Sequence, residues 1–203
     1  LREHGGEVRH GPGGQARLSR SYTSTVTDYG SDYTVYAEMH TTGSSTIYYY
    51  YDSKGKMVTS VSQSGGVGGL LENGSYVTRG TGTLRSEDRF GNATDGTILQ
   101  SFQVIKGQAK MTANTTRTWS AGGSYDNPGS TIDGSKTRQE ITVYYAYDAK
   151  GVMVQSADAA VAGTFGGLLE NGAYVTRGVG TMLTVDKWGN ATLGDITQNF
   201  AVF

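Results

Sequence analysis

One stretch of this chain is written twice. Gly69–Thr83 reads GLLENGSYVTRGTGT and Gly167–Thr181 reads GLLENGAYVTRGVGT, with thirteen of fifteen positions identical at an offset of 98. Self-similarity at a fixed spacing constrains architecture more than any local signal, because two copies must reach one backbone shape from nearly the same residues. The likeness continues outward. TIYYYYDSKGKMVTS (Thr46–Ser60) matches TVYYAYDAKGVMVQS (Thr142–Ser156) at an offset of 96, so the second copy carries two extra residues near 159–163. DRFGNAT (Asp88–Thr94) matches DKWGNAT (Asp186–Thr192), and ILQSFQVI (Ile98–Ile105) matches ITQNFAVF (Ile196–Phe203). ARLS at Ala16 resembles AKMT at Ala109. The organisation expected is a Gly-rich, polar, loosely held tail over 1–15, one β-domain over 16–106 and a homologous one over 107–203. The chain opens on Leu1 and shows no signal-peptide pattern, which reads as a processed form or a fragment.

Each copy reads as strands and tight turns. Gly occurs 31 times among 203 residues, about twice its ordinary usage, while the strong helix formers are thin. Thr, Tyr and Val favour strands, and Gly and Asn favour turns. Alternation of side chains marks strands near 17–26, 33–39 and 46–51. Along the third, Ile47, Tyr49 and Tyr51 share one face, and their counterparts Val143, Tyr145 and Tyr147 keep it. Tyr50 gives way to Ala146 on the other, so the first face is expected to be the core face. Asp52-Ser-Lys-Gly55 and Asp148-Ala-Lys-Gly151 read as turns in which Asp caps and Gly takes a positive φ. Asn73-Gly74 and Asn171-Gly172 are type I′ hairpin signals. Gly80 and Gly82 inside the return strand point to a bulge, a bend or close approach of another backbone. About seven strands per copy result, the pattern of an antiparallel β-sandwich or small β-barrel.

The composition narrows the chemistry. A formal net charge of -1 with no basic block gives nucleic acid or an anionic membrane nothing to attract it. Without Cys there is no disulfide, thiolate nucleophile or thiolate metal site. No apolar run approaches the about 20 residues of a membrane helix. The three His, at 4, 10 and 40, have no counterparts in the second copy, and no nucleophile-elbow motif accompanies His40. The duplicated carboxylates are Asp52/Asp148, Glu72/Glu170 and Asp88/Asp186, and two of these pairs begin turns. No enzyme and no cofactor are expected. The acids stand singly, without a calcium-loop motif, which leaves open only a calcium site assembled from two loops.

The surface candidates are aromatic and charged. Tyr48, Tyr50, Phe90, Trp119 and Trp188 could act as stacking platforms for sugar rings, with Phe90 and Trp188 at equivalent turn positions. Glu72 and Arg79, with Glu170 and Arg177, are the charges kept in the duplicated stretch and mark a possible ligand or interface patch. Asn73, Asn92, Asn114 and Asn190 each open an N-glycosylation pattern.

YYYYDSKGKMV and DRFGNAT resemble the Y-D-x-x-G and D-x-x-G-N turns of bacterial YD-repeat (Rhs-type) surface proteins. More broadly the chain resembles the tandem β-repeat domains of bacterial extracellular adhesins. The resemblance implies an extracellular or cell-surface structural or adhesive protein whose partners are copies of itself, other surface components or glycans. A tandem carbohydrate-binding module is the alternative expectation.

Overall fold

The structure is a computed structural model in which residues 3–10, 16–28, 39–61 and 65–202 are described. Strands β1 (Glu3–His10), β2 (Ala16–Asp28) and β3 (Met39–Tyr48) are followed by short strands β4 (Tyr50–Tyr51), β5 (Ser60–Val61), β6 (Val67–Gly68), β7 (Leu70–Glu72) and β8 (Ser75–Val77). Long strands return as β9 (Arg79–Asp88), β10 (Ala93–Ile105), β11 (Gln108–Ser120) and β12 (Lys136–Tyr144). A second short set follows: β13 (Ala146–Tyr147), β14 (Met153–Val154), β15 (Ser156–Asp158), β16 (Phe165–Gly166), β17 (Leu168–Glu170) and β18 (Ala173–Val175). The last strands are β19 (Arg177–Val185) and β20 (Ala191–Asn199). The fold is all-β, as the composition requires. The strand expected near 33–39 lies outside the described residues except for Met39, which opens β3.

The long strands make one nine-stranded antiparallel sheet in the order β1-β2-β3-β9-β10-β11-β12-β19-β20. It is a meander interrupted twice, by β4–β8 and by β13–β18, which form four smaller sheets. Lys106 and Gly107, with φ of 50° and 77°, turn the chain from β10 into β11 where the first copy of the sequence ends. Across that seam β10 and β11 pair from Thr94↔Ser120 to Ile105↔Gln108, so the sheet runs unbroken from one copy into the next. The leading segment, expected as a loose tail, supplies β1, which pairs with β2 from Glu3↔Ser24 to His10↔Ala16.

The sheet holds itself together with polar pairs more than with a deep core. Directly opposed hydroxyls bond across strands: Thr41 with Ser86 at 3.1 Å, Ser44 with Thr83 at 3.0 Å, and Thr115 with Thr142 at 2.9 Å. Arg85 faces Asp95 at 2.9 Å, and Arg117 faces Glu140. Such opposed pairs contribute roughly 0.2–1 kcal/mol each. The chain exposes 12490 Å², about a third more than the roughly 9,200 Å² of a compact monomer of this mass.

The apolar core lies instead in the two insertions. Among the described residues the buried apolar side chains are Tyr50, Tyr51, Ala146, Tyr147 and Phe165, all within the short-strand segments. Chain direction changes where β3 ends. The Tyr49 amide donates to the Ser19 carbonyl, and the Gly69 amide donates back to the Tyr49 carbonyl. Gly68 and Gly69 sit at φ of 80° and 75°, and their counterparts Gly166 and Gly167 at 67° and 73°. A Cβ on Gly68 or Gly166 would collide with the carbonyl oxygen of Tyr49 or Tyr145. The glycines are therefore needed twice over, for their φ and for the close approach of two backbones.

The sequence pointed to one buried face of the Tyr run; the structure leaves Ile47, Tyr48 and Tyr49 half-buried and buries one residue from each face. Tyr51 and Tyr147 are buried as expected, with their hydroxyls donating to the carbonyls of Leu18 and Met111. Tyr50 and Ala146, on the opposite face, are more buried still, at 2% and 0% exposure. Strict alternation fails because the chain leaves the large sheet at Tyr49 and enters a small sheet packed on both sides.

Candidate functional site

The duplicated stretch builds a hairpin and a buried polar clamp. Asn73 (φ 49°) and Gly74 (φ 79°) turn β7 into β8, and Asn171 (φ 48°) and Gly172 (φ 80°) turn β17 into β18. These are the two left-handed residues of a type I′ turn. Glu72 and Arg79 close across the hairpin at 2.6 Å, and Glu170 and Arg177 at 2.7 Å. Arg79 also donates to Ser101 of β10 at 2.6 Å, which ties the insertion to the large sheet. Between them lies Thr78, 2% exposed. Its hydroxyl accepts from the Tyr50 amide at 3.1 Å and donates to the Val58 carbonyl at 2.8 Å. Thr176 repeats this with the Ala146 amide at 2.9 Å and the Val154 carbonyl at 2.7 Å. Sequence reasoning did not single out these threonines. The identity of YVT in both copies was the available signal.

Gly80 and Gly82 resolve the alternatives left open by the sequence. Pairing of β9 with β3 and β10 runs past them without a register shift, so neither marks a bulge. A Cβ on Gly82 would strike the Ser44 carbonyl oxygen, and one on Gly180 the Glu140 carbonyl oxygen. Gly80 and Gly178 leave room for the side chains of Gln100 and Gln198.

Asp52 accepts from the amides of Lys54 and Lys56 at 2.9 and 2.8 Å, with Gly55 at φ 74°. Asp148 accepts from Lys150 and Val152 in the same way, with Gly151 at φ 79°. The Asp88 and Asp186 turns go further. Each carboxylate takes two backbone amides and the side-chain amide of Asn92 or Asn190, all at 2.8–2.9 Å. Bonds from those asparagine side chains hold both carboxyls below the ordinary carboxylate value. The turns present Phe90 and Trp188 outward, 64% and 77% exposed, with Arg89 and Lys187 each 4.5 Å from the ring centroid.

The other aromatic candidates separate. Tyr50 is a core residue whose ring stacks on Tyr76 at 5.5 Å, and burial removes it as a platform for a sugar. Tyr48 is half-buried and lines a groove of about 430 Å³ with Arg20 and Tyr76. Trp119 is half-buried, donates to the Gly123 carbonyl at 3.2 Å, and meets Tyr125 edge-on at 6.5 Å. Arg117 and Arg138 lie 5.1 and 5.3 Å from the Tyr125 ring, a cluster the sequence did not announce.

Trp119 also borders an open groove of about 470 Å³ on the large sheet. Hydroxyls of Ser24, Thr42, Ser44 and Thr83 and the Arg85–Asp95 pair line it. Gly43 and Gly96 lie among the lining residues. The arrangement offers neutral donors and acceptors, one ion pair and one indole. Among the described residues no three His, Asp or Glu gather as metal ligands. No family model matches the chain, and neither a curated protein nor a solved structure matches it.

Proposed function

We propose that this chain is a non-enzymatic structural or adhesive component of an extracellular surface or matrix, working through association with its own kind or with other surface components. The observation that supports this reading is the seam between the two copies. Copies joined by strand pairing add four long strands each to one sheet, so length grows by repetition, as in repeat proteins whose units contact only their neighbours. Strands lie about 4.8 Å apart, and each added copy lengthens the sheet by about 19 Å on that spacing. The test is protease applied to intact cells of the source organism. Degradation from outside is expected, and protection until the cells are lysed would overturn the reading.

A second reading, glycan binding, is favoured by the hydroxyl-lined groove beside Trp119 and by the exposed rings of Phe90 and Trp188. Sugars are recognised by such hydroxyl and carboxylate partners together with an aromatic face. A glycan array probed with the full chain and with Trp119→Ala and Trp188→Ala tests it. Signal lost in either variant supports binding at that ring, and no signal with the full chain removes the reading.

A further inference from the structure

We propose that one end of the large sheet is a lipid-binding ridge, on which Phe90, Ile132 and Trp188 enter the interface of a zwitterionic bilayer. This goes beyond both readings above: the partner is a phosphatidylcholine surface, and neither self-association nor a glycan is needed for it.

Three turns stand side by side at that end. They lie between β9 and β10, between β11 and β12, and between β19 and β20. The middle one, 131–135, bridges the other two. The Ile132 amide donates to the Asn92 side-chain oxygen at 2.9 Å. A Cβ on Gly91 would lie 3.8 Å from Ile132 Cδ1, and one on Gly134 would lie 3.1 Å from Lys187 Cβ. The outer turns are four strand spacings apart in the sheet order, about 19 Å. Phe90, Ile132 and Trp188 crown the three turns at 64%, 68% and 77% exposure.

The turns do not need these side chains. Among the described residues five turns share one backbone scheme, spanning 52–56, 88–92, 131–135, 148–152 and 186–190. In each, the first residue donates its amide to the fifth residue's carbonyl, and its own carbonyl accepts from the fourth residue's amide. Phe90 and Trp188 stand third in their turns. The third residues at 52–56 and 148–152, in the insertions, are Lys54 and Lys150, both exposed. The large apolar tips therefore fall at one end of the sheet and are not a demand of turn geometry. A contiguous exposed apolar cluster marks an interaction site.

Shape and charge select the partner. The tips crown turns and do not line a cleft, so they meet a surface. Ile132 offers no ring for a sugar to stack on, whereas aliphatic and aromatic tips alike leave water for the boundary between headgroups and acyl chains. Trp is enriched at that boundary. The charges beside the tips are of both signs. Arg89 and Lys187 lie 4.5 Å from the ring centroids of Phe90 and Trp188, and Asp133 follows Ile132. The Asp88 and Asp186 carboxylates are turned onto the amides of their own turns. A phosphatidylcholine headgroup carries the same two signs. Its phosphate suits Arg89 and Lys187, and its quaternary ammonium suits Asp133 and the aromatic faces. A chain of net charge -1 gains no comparable attraction from an anionic leaflet.

The test is co-sedimentation of the full chain with phosphatidylcholine vesicles, beside phosphatidylserine vesicles and a lipid-free control. The native chain is expected to sediment with phosphatidylcholine. Phe90→Lys and Trp188→Lys install the residue type that the same turn already carries at Lys54 and Lys150, so the turn accepts them. Each should weaken partition about tenfold, the effect of losing one apolar tip. Ile132→Ser should weaken it too. The chain has two Trp, and in a Trp119→Phe variant the remaining indole is Trp188. Phosphatidylcholine brominated on its acyl tails should quench that fluorescence. Absence of the chain from sedimented phosphatidylcholine overturns the proposal, as do variants that partition like the native chain, unquenched fluorescence, or binding confined to phosphatidylserine. Glycan-array signal lost in Trp188→Ala without vesicle binding would return the ring to the sugar reading and overturn the ridge. Lipid-free assemblies abolished by Trp188→Lys would assign the ridge to a second copy and overturn it equally.

Discussion

Phe165 stacks on Tyr147 with ring centroids 4.8 Å apart and planes within 7°, and this pair exists only in the second copy. The first copy has Val67 at the equivalent position and fills its core with Tyr50 instead, over a glycine, Gly66, that a Cβ would drive into the Tyr50 ring. The second copy has Ala146 and Thr164 in those places. One aromatic ring has exchanged position between strands while the backbone shape is kept, which is how close-packed interiors tolerate change.

Phe165→Ala should therefore destabilise the chain by about 3–5 kcal/mol, read as a lower urea midpoint. Ala146→Tyr alone should also destabilise, by roughly 1–3 kcal/mol from overpacking. Combining it with Thr164→Gly and Phe165→Val restores the first copy's residue set. That triple variant should recover part of the loss, the sign of coupling between contacting residues. A triple variant as unstable as the sum of its parts would show that the two cores do not share one packing scheme.

The glycines separate into two grades. At Gly172 nothing lies within 4 Å of an added Cβ, so Gly172→Ala meets only the left-handed φ and should cost about 1 kcal/mol. Gly166→Ala meets the same φ and the Tyr145 carbonyl, and should cost several times as much. Thermal melts of the two variants decide this. Equal midpoints would mean that the backbone at Gly166 moves aside freely.

Thr78→Val and Thr176→Val keep the shape of the side chain and remove its hydroxyl. Each removes the hydroxyl that bonds one buried amide and one carbonyl, at about 1–3 kcal/mol per site. Chemical denaturation should show both losses, and Thr→Ser at either position should recover much of the stability. A neutral Thr78→Val would place water in the clamp.

Acid should loosen the aspartate turns. Bonds from Thr131 first, then from Ser135, hold the Asp133 carboxyl down at about 2, and Asp88 and Asp186 are also depressed. An unfolded Asp titrates near about 3.9. The folded state therefore binds fewer protons, and the stability from these turns is complete above that value and lost as pH falls through the folded pKa. Carboxyl carbon shifts followed by NMR should give Asp133 a midpoint near about 2. A midpoint at the ordinary Asp value would show that the Thr131 and Ser135 bonds do not persist in solution.

The sequence by itself determined the local chemistry. Asn73-Gly74 and Asp52 through Gly55 read as turns because few residues accept a positive φ and few side chains cap their own backbone, and these constraints act over four residues. The all-β character followed from composition, and the duplication from plain comparison of the two copies. What the strands do with one another was decided only in three dimensions. Nothing in ILQSFQVI or AKMTANTT says that β10 and β11 pair across the boundary between copies, because strand partners are chosen by register over long separations. Nor does EHGGEVRH announce a strand, since its alternation is weak and its partner β2 supplies the bonds that order it. The burial of Tyr50 belongs to the same class. Alternation along YYYYD assigns it one face, and only the glycine pair that folds β6 across β4 puts a protein layer on that face.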